Sequence, residues 1–158
     1  MTVIVGVDPG INNTGVAVFR NGLLSKIHLL KRLKGSELSA NVRDQTNRFL
    51  AQMPWSTPEL VVVEKPVVYP NSPANPADVL DIAVMAGAFA GASSAEVKLV
   101  TPHDWKGSVP KKIHNDRLLN QIQNLQNLLV VGGYKKRDWE HIIDATGIAH
   151  WAIERAEL

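Results

Sequence analysis

Val3-Ile4-Val5-Gly6-Val7-Asp8-Pro9-Gly10-Ile11-Asn12-Asn13-Thr14-Gly15-Val16-Ala17-Val18 decides the fold. Its first five residues are apolar and mostly β-branched, the pattern of a short buried strand. Pro9-Gly10 and Asn12-Asn13 supply turn chemistry. Val16 to Phe19 then reads as a second strand, paired antiparallel to the first. Asp8 therefore ends a central strand, where a carboxylate can point into a cleft. By itself it also reads as a turn-capping aspartate, so the functional reading depends on partners downstream.

One such partner follows a second buried strand. Glu59-Leu60-Val61-Val62-Val63-Glu64 has a continuous apolar centre, as strands in the middle of a sheet do, and it too ends on an acid. Between the two acids, Leu23 to Leu30 reads as a third strand after the Asn21-Gly22 turn. Lys31 to Gly35 is a basic loop. Ser36 to Met53 has helical spacing, with Leu38, Val42, Thr46, Phe49, Leu50 and Met53 on one face. Pro54 stops that helix, with Trp55 inside the stop.

Beyond Glu64, the proline-rich stretch Pro66 to Pro76 is a stiff loop carrying Tyr69. Ala77 to Ala92 is a helix rich in Ala and Gly and apolar almost all round, which suits close packing against another surface. Glu96 to Val100 reads as a fifth strand. Thr101-Pro102 opens a short turn or helix carrying Trp105-Lys106-Gly107. Lys111 to Leu129 reads as one helix with Leu118, Ile122, Leu125 and Leu129 on its apolar stripe. The last helix spans roughly Asp138 to Glu154, with Asp138 as its N-cap. His141 and Asp144 share a face of it at i,i+3, while Ile142, Ile143, Ala145 and Ile148 pack inward. The element order implies an α/β arrangement of layers around one five-stranded mixed sheet flanked by helices.

A chain of 158 residues fits a single domain over 1–158 with one sizeable core. It contains no cysteine, which excludes a disulfide framework, a thiolate zinc site and a cysteine nucleophile. No apolar run approaches the roughly 20 residues needed to span a bilayer. The chain enters a strand without a basic leader, so a cytoplasmic location is expected, in a bacterial or phage-infected cell. Charge is unevenly spread. Thr101 to Arg137 holds seven Lys or Arg (Lys106, Lys111, Lys112, Arg117, Lys135, Lys136, Arg137) against two acids, Asp104 and Asp116. Such a stripe in a chain of net charge +2 points to a phosphate-rich partner, although a solvated face has the same composition.

Asp8, Glu64, His141 and Asp144 are expected to converge at one end of the sheet. Three close carboxylates repel unless a cation compensates them, and oxygen ligands suit Mg²⁺ or Mn²⁺. Two such ions about 4 Å apart stabilise the attacking and leaving oxygens of a phosphoryl displacement. With the basic stripe, this chemistry is that of a nuclease.

The set Val7-Asp8-Pro9-Gly10-x-x-x-Thr14-Gly15, Val63-Glu64, Trp105-Lys106-Gly107 with Lys111-Lys112, and His141-x-x-Asp144-Ala145 resembles the RuvC-type Holliday-junction resolvases of the ribonuclease H-like superfamily. It does so in order over nearly the whole chain, and the size is that of a phage or compact bacterial member. The resemblance implies a ribonuclease H-like fold and a homodimer that resolves four-way DNA junctions, an endodeoxyribonuclease leaving 5′-phosphate and 3′-hydroxyl ends. It further implies Asp8, Glu64 and Asp144 as ligands of two Mg²⁺ or Mn²⁺ ions, with the imidazole of His141 able to join them, and Lys111 or Lys112 near the scissile phosphate. Ala77 to Ala92 would contribute to the dimer interface. DNA contacts would come from Tyr69, Lys106, Lys111, Lys112, Lys135, Lys136 and Arg137, with Tyr69 stacking on an exposed base. His141 stands where many members have Asp. Other readings are a catalytically weak or inactive junction-binding module, a nuclease for RNA–DNA hybrids or flaps, and one lobe of a sugar-kinase or actin-type ATPase. The last lacks a second phosphate-binding glycine turn and room for a second lobe.

Overall fold

Six consecutive buried residues, Val3–Asp8, form the central strand β1 of the computed structural model, which describes residues 1–53 and 57–156. Pro54 and Trp55, read above as the stop after the first helix, lie outside the described residues. β2 (Asn13–Arg20) pairs antiparallel to β1, and β3 (Leu23–Lys31) pairs antiparallel to β2. On the other side β4 (Leu60–Glu64) and β5 (Glu96–Val100) run parallel to β1, giving the order β3-β2-β1-β4-β5. Helices α1 (Leu38–Gln52), α2 (Pro76–Ala92), α3 (Pro102–Lys106), α4 (Lys111–Gln121), α5 (Leu125–Val131) and α6 (Trp139–Ala156) flank it. This five-stranded mixed sheet between helical layers is the ribonuclease H-like arrangement expected above.

Strand alternation sorts the core into two halves. Val3, Val5, Val7, Val61 and Val63 face one way and pack with Phe49 of α1 and with Met85 and Phe89 of α2. Ile4 and Val62 face the other way, with Leu118, Leu125, Leu129, Ile142 and Ile148. The same parity sends the side chains of Asp8 and Glu64 toward the α6 layer. Val7 stands beside Val63 in the parallel register, so the two acids that follow emerge at one end of the sheet.

The sheet receives α6 at unusually close range. A Cβ on Gly6 would fall on the carbonyl oxygen of Ala145, and one on Gly15 on that of His141. Only glycine at these two sites lets the α6 backbone lie directly on β1 and β2. Ile142, Ile143, Ala145 and Ile148 are all buried there, as their spacing predicts.

Three local expectations are corrected. The predicted helix from Lys111 to Leu129 is two helices: Ile122 leaves helical geometry, and Asn124 takes a left-handed φ of 76°. The apolar stripe Leu118, Ile122, Leu125 and Leu129 is nonetheless fully buried, because the break reorients both halves onto one core. Asp138 does not cap α6. It ends a 3-10 turn, Lys136–Asp138, and its carboxylate binds Lys31 Nζ at 3.0 Å. Finally, the inward face of α1 is Asn41, Gln45 and Phe49, while Leu50 is 44% exposed. The polar pair is inside because it holds a loop carbonyl, described below.

Gly15→Ala is expected to lower unfolding free energy by about 3 kcal/mol, the upper end for overpacking a close-packed interior, since backbone rather than a flexible side chain blocks the new methyl group. Urea unfolding checks this; a change within about 0.5 kcal/mol, as for an innocuous surface substitution, would contradict the packing described.

Candidate functional site

The turn between β1 and β2 follows Asp8 and is fixed from two sides. The Gly10 N–H donates to Thr14 Oγ1 at 3.2 Å inside the turn. From α1, Asn41 Nδ2 donates to the Ile11 carbonyl at 2.8 Å, and Gln45 Nε2 donates to the same oxygen at 3.2 Å and to Asn41 Oδ1 at 2.9 Å. Both amide side chains are fully buried. Leaving that carbonyl unpaired in the interior would cost about 1–3 kcal/mol, so the pair is a specific clamp on the loop beside Asp8. Sequence reasoning missed it; the signal available was two amides at i,i+4 on an otherwise amphipathic helix.

The structure brings Asp8, Glu64, His141 and Asp144 into one neighbourhood and gives each a partner. Asp8 is buried, and His141 Nδ1–H donates to its Oδ2 at 2.8 Å. Trp105 Nε1–H donates to Glu64 Oε2 at 2.6 Å. Trp105 appears above only as part of a motif, yet a buried indole N–H needs an acceptor, and the strand-end acid provides it. Lys111 Nζ pairs with Glu140 and lies 4.0 Å from Asp144 Oδ2. Asp144 Oδ1 is buried and has no hydrogen-bond partner. Lys111, rather than Lys112, is therefore the lysine that approaches the acids.

The crowding acts on the titration of the acids. Burial and then the charge of Asp8 push the Glu64 carboxyl up to about 7, against the opposing pull of Trp105 and Lys106, with Asp144 adding to the rise. Burial and Asp8 likewise raise Asp144 to about 6, opposed by Lys106, Lys111 and His141. His141 is raised first by its hydrogen bond to Asp8 and then by the Asp8 and Asp144 charges, against burial. The donor types suit a hard divalent cation, and the unpartnered oxygen of Asp144 is a free ligand atom. However, no group of three or more His, Asp or Glu among the described residues stands at metal-holding spacing. The acids sense one another, but at rest each is turned to its own partner.

The cationic residues border this neighbourhood unequally. Lys106 lies over the Trp105 ring, 5.2 Å from its centroid. Lys111, Lys112, Lys136 and Arg137 line an open cleft of about 790 Å³ between α4 and the start of α6, with Trp139 also in its wall. Lys135 immediately precedes the 3-10 turn and does not line the cleft. Tyr69 lies in the irregular segment after β4, half exposed, and no hydrogen bond ties it to the acids.

No protein-family model matches the sequence, and no curated protein matches it. Solved structures do. Thermus thermophilus RuvC superposes with a TM-score of 0.72 at 19% identity, covering 99% of this chain and 96% of that one. The same protein in complex with a Holliday junction substrate gives a TM-score of 0.69 at 19% identity over the same shares. The fowlpox virus Holliday junction resolvase gives 0.57 at 17% identity, covering 98% of this chain and 99% of that one. At these identities the likeness shows a shared fold, that of resolvase-type nucleases, along nearly the full length of both partners.

Without a divalent cation, stability should fall as pH rises. Between 4.5 and about 7 the folded chain retains the Glu64 proton that the unfolded chain has released, so folding is favoured at the acid end of that window. His141, raised above 6.5, acts in the same direction at higher pH. The Tm is expected to be several degrees lower at pH 8 than at pH 5, Glu64→Gln should flatten the profile, and Mg²⁺ should raise Tm more at pH 8 than at pH 5. A Tm that climbs from pH 5 to pH 8 in chelator would contradict the acid crowding.

Proposed function

We propose that this chain binds four-way and related branched DNA on the face where the acids and lysines meet. Phosphodiester cleavage there is slow, with Asp8, Glu64 and Asp144 as the residues that would hold the divalent cation it requires. The observation that carries this reading is mutual: Glu64 and Asp144 are both raised by Asp8, at the edge of a cationic cleft, yet Asp8 and Glu64 are each hydrogen-bonded to a partner of their own. The full-length fold likeness to a resolvase solved with a Holliday junction substrate supports the choice of branched DNA.

Roles follow from position. Asp8, Glu64, His141 and Asp144 would hold Mg²⁺ or Mn²⁺, which when bound supplies a Lewis acid that activates water and neutralises the departing 3′ oxygen. Lys111 offsets phosphate charge beside Asp144. Lys106, Lys112, Lys135, Lys136 and Arg137 hold the backbone, and Tyr69 offers a stacking face to an unpaired base. Trp105 and the Asn41–Gln45 clamp position Glu64 and the turn after Asp8. On α2, Leu80, Ala83, Val84, Gly87 and Gly91 form an exposed small apolar stripe, a surface on which two copies can pack closely and present two sites to two strands. Among the described residues no helix is long and apolar enough to cross a membrane.

The second reading is a fully competent two-metal junction endonuclease leaving 5′-phosphate ends. Asp144 Oδ1, buried and unpartnered, favours it as a ready ligand. A synthetic four-way junction, duplex, flap and RNA–DNA hybrid of matched sequence separate the possibilities. We expect junction binding in chelator and slow junction cutting in Mg²⁺ or Mn²⁺. Asp8→Asn should abolish cutting and leave binding within about twofold, because phosphates are held by Lys and Arg. Multiple rapid turnovers would establish the second reading, whereas equal affinity for junction and duplex would overturn both. The imidazole of His141 suits the softer ion, so wild-type cutting should be faster in Mn²⁺ than in Mg²⁺, with His141→Asp narrowing the gap. Equal wild-type rates in the two metals would remove His141 as the source of preference.

A further inference from the structure

The basic loop after β3 has no part in the function derived above. In the structure it faces the 3-10 turn across an open cleft of about 590 Å³. Asn12, Asn13, Lys31, Arg32, Lys34 and Arg137 line it, and Asp138 is the single carboxylate among its lining residues. Four cations thus gather against one acid, from two segments about a hundred residues apart in sequence. A cleft lined by one sign of charge concentrates ions of the opposite sign.

The walls are fixed. Lys31 Nζ binds Asp138 Oδ2 at 3.0 Å, which ties β3 to the 3-10 turn and consumes the one negative charge. The Arg32 backbone N–H donates to the Asn12 carbonyl at 2.9 Å, joining this loop to the turn after Asp8. The Arg32 guanidinium donates to Ser36 Oγ at 3.3 Å and to the Ser36 carbonyl. Lys34 is exposed, and Arg137 is 73% exposed with its nearest recorded carboxylate contact at 3.9 Å. Lys34 and Arg137 therefore carry the uncompensated charge at the mouth.

Arg137 also lines the other cleft, with Lys111, Lys112 and Lys136. The 3-10 turn is thus a cationic ridge between two clefts, one of which reaches the lysine beside Asp144. We propose that the cleft between the β3–α1 loop and the 3-10 turn is a phosphate-binding subsite for the backbone of a duplex DNA arm, the strand running from Lys111–Lys112 over Arg137 to Lys34. This assignment rests on the branched-DNA reading. An extended polyanion fits better than a small one. The cations are spaced along an open trough on exposed side chains, whereas a single anion is clasped by converging buried donors.

Junction affinity measured over a series of NaCl concentrations tests the subsite with wild-type protein, Lys34→Ala and Lys34→Glu. Lys34 is exposed and makes no recorded side-chain bond, so both variants should fold with unchanged Tm. Lys34→Ala should weaken binding several-fold at low salt and lower the slope of log K against log[salt] by about one phosphate contact, roughly 0.9. Lys34→Glu should weaken it further, and the losses should be the same for a junction of unrelated sequence. Shortening the junction arms to a few base pairs should erase the difference between wild type and variants. Wild-type slopes in both variants would overturn the subsite and leave the junction reading intact. Equal wild-type affinity for junction and duplex, with a reduced slope in the variants, would overturn the junction reading and keep the subsite. No DNA binding at low salt would overturn both. If inorganic phosphate raises the Tm of wild type but not of Lys34→Ala while junction slopes are unchanged, the cleft holds a free anion and the DNA-arm assignment falls.

Discussion

The contact of the α6 backbone with Gly6 and Gly15 is the constraint on which the site depends. Asp8 and Glu64 are delivered by the sheet, through the parallel register of β1 and β4. His141 and Asp144 come from the other end of the chain and can meet them only if α6 lies almost on the strand backbones. Two absent side chains make that approach possible, and the carbonyl oxygens of His141 and Ala145 occupy the space that a Cβ would take at Gly15 and Gly6. A helix resting on ordinary side chains would stand farther from the sheet, and the His141–Asp8 hydrogen bond of 2.8 Å would be out of reach. Burial of Ile142, Ile148 and Ala149 then holds the helix there with ordinary hydrophobic packing. The functional geometry is thus stabilised mostly by residues with no chemistry of their own.

That packing works against the charges it assembles. Desolvation is the largest cause of the raised Glu64 and Asp144 carboxyls, with the charge of Asp8 next. The chain meets the cost locally: an imidazole for Asp8, an indole N–H for Glu64, and an ammonium near one oxygen of Asp144. Each of these contacts favours the charged form of its acid, and together they let the fold exist without a bound cation. They also explain why proximity and ligand spacing part company here. A carboxylate oriented to its own neutralising partner is not oriented to a common centre.

How far the sequence revealed this differs by residue, for physical reasons. The strand ends at Asp8 and Glu64 were legible because buried strands have a short-range signature that stops abruptly at a charge. His141 and Asp144 were legible as a shared helix face through the i,i+3 rule. The stripe Leu118, Ile122, Leu125 and Leu129 was legible as core but not as two helices, since the break at Asn124 leaves the apolar positions buried. Asn41 and Gln45 were not legible because periodicity ranks residues by hydropathy, whereas these two are buried for a hydrogen bond to a carbonyl that only the tertiary fold brings near. Asp138 was read as a cap from its position, and Lys31, 107 residues away, claimed it instead.

The same competition bears on how a cation would act here. Asp8 and Glu64 would offer a divalent cation oxygens from carboxylates that are already hydrogen-bonded. Asp144 Oδ1 is the exception, since binding there breaks no recorded contact and relieves a buried unpaired acceptor. Glu64 would be harder to recruit, because giving up Trp105 would leave a buried indole N–H without its acceptor. Asp8 can bind while its second oxygen keeps His141, so the imidazole then orients the ligand instead of competing for it. Under the metal-binding reading, Asp144 would be the ligand recruited at least cost and Glu64 at the greatest. On this argument the strand-end glutamate, held by Trp105, would set the threshold at which the acids act as one centre.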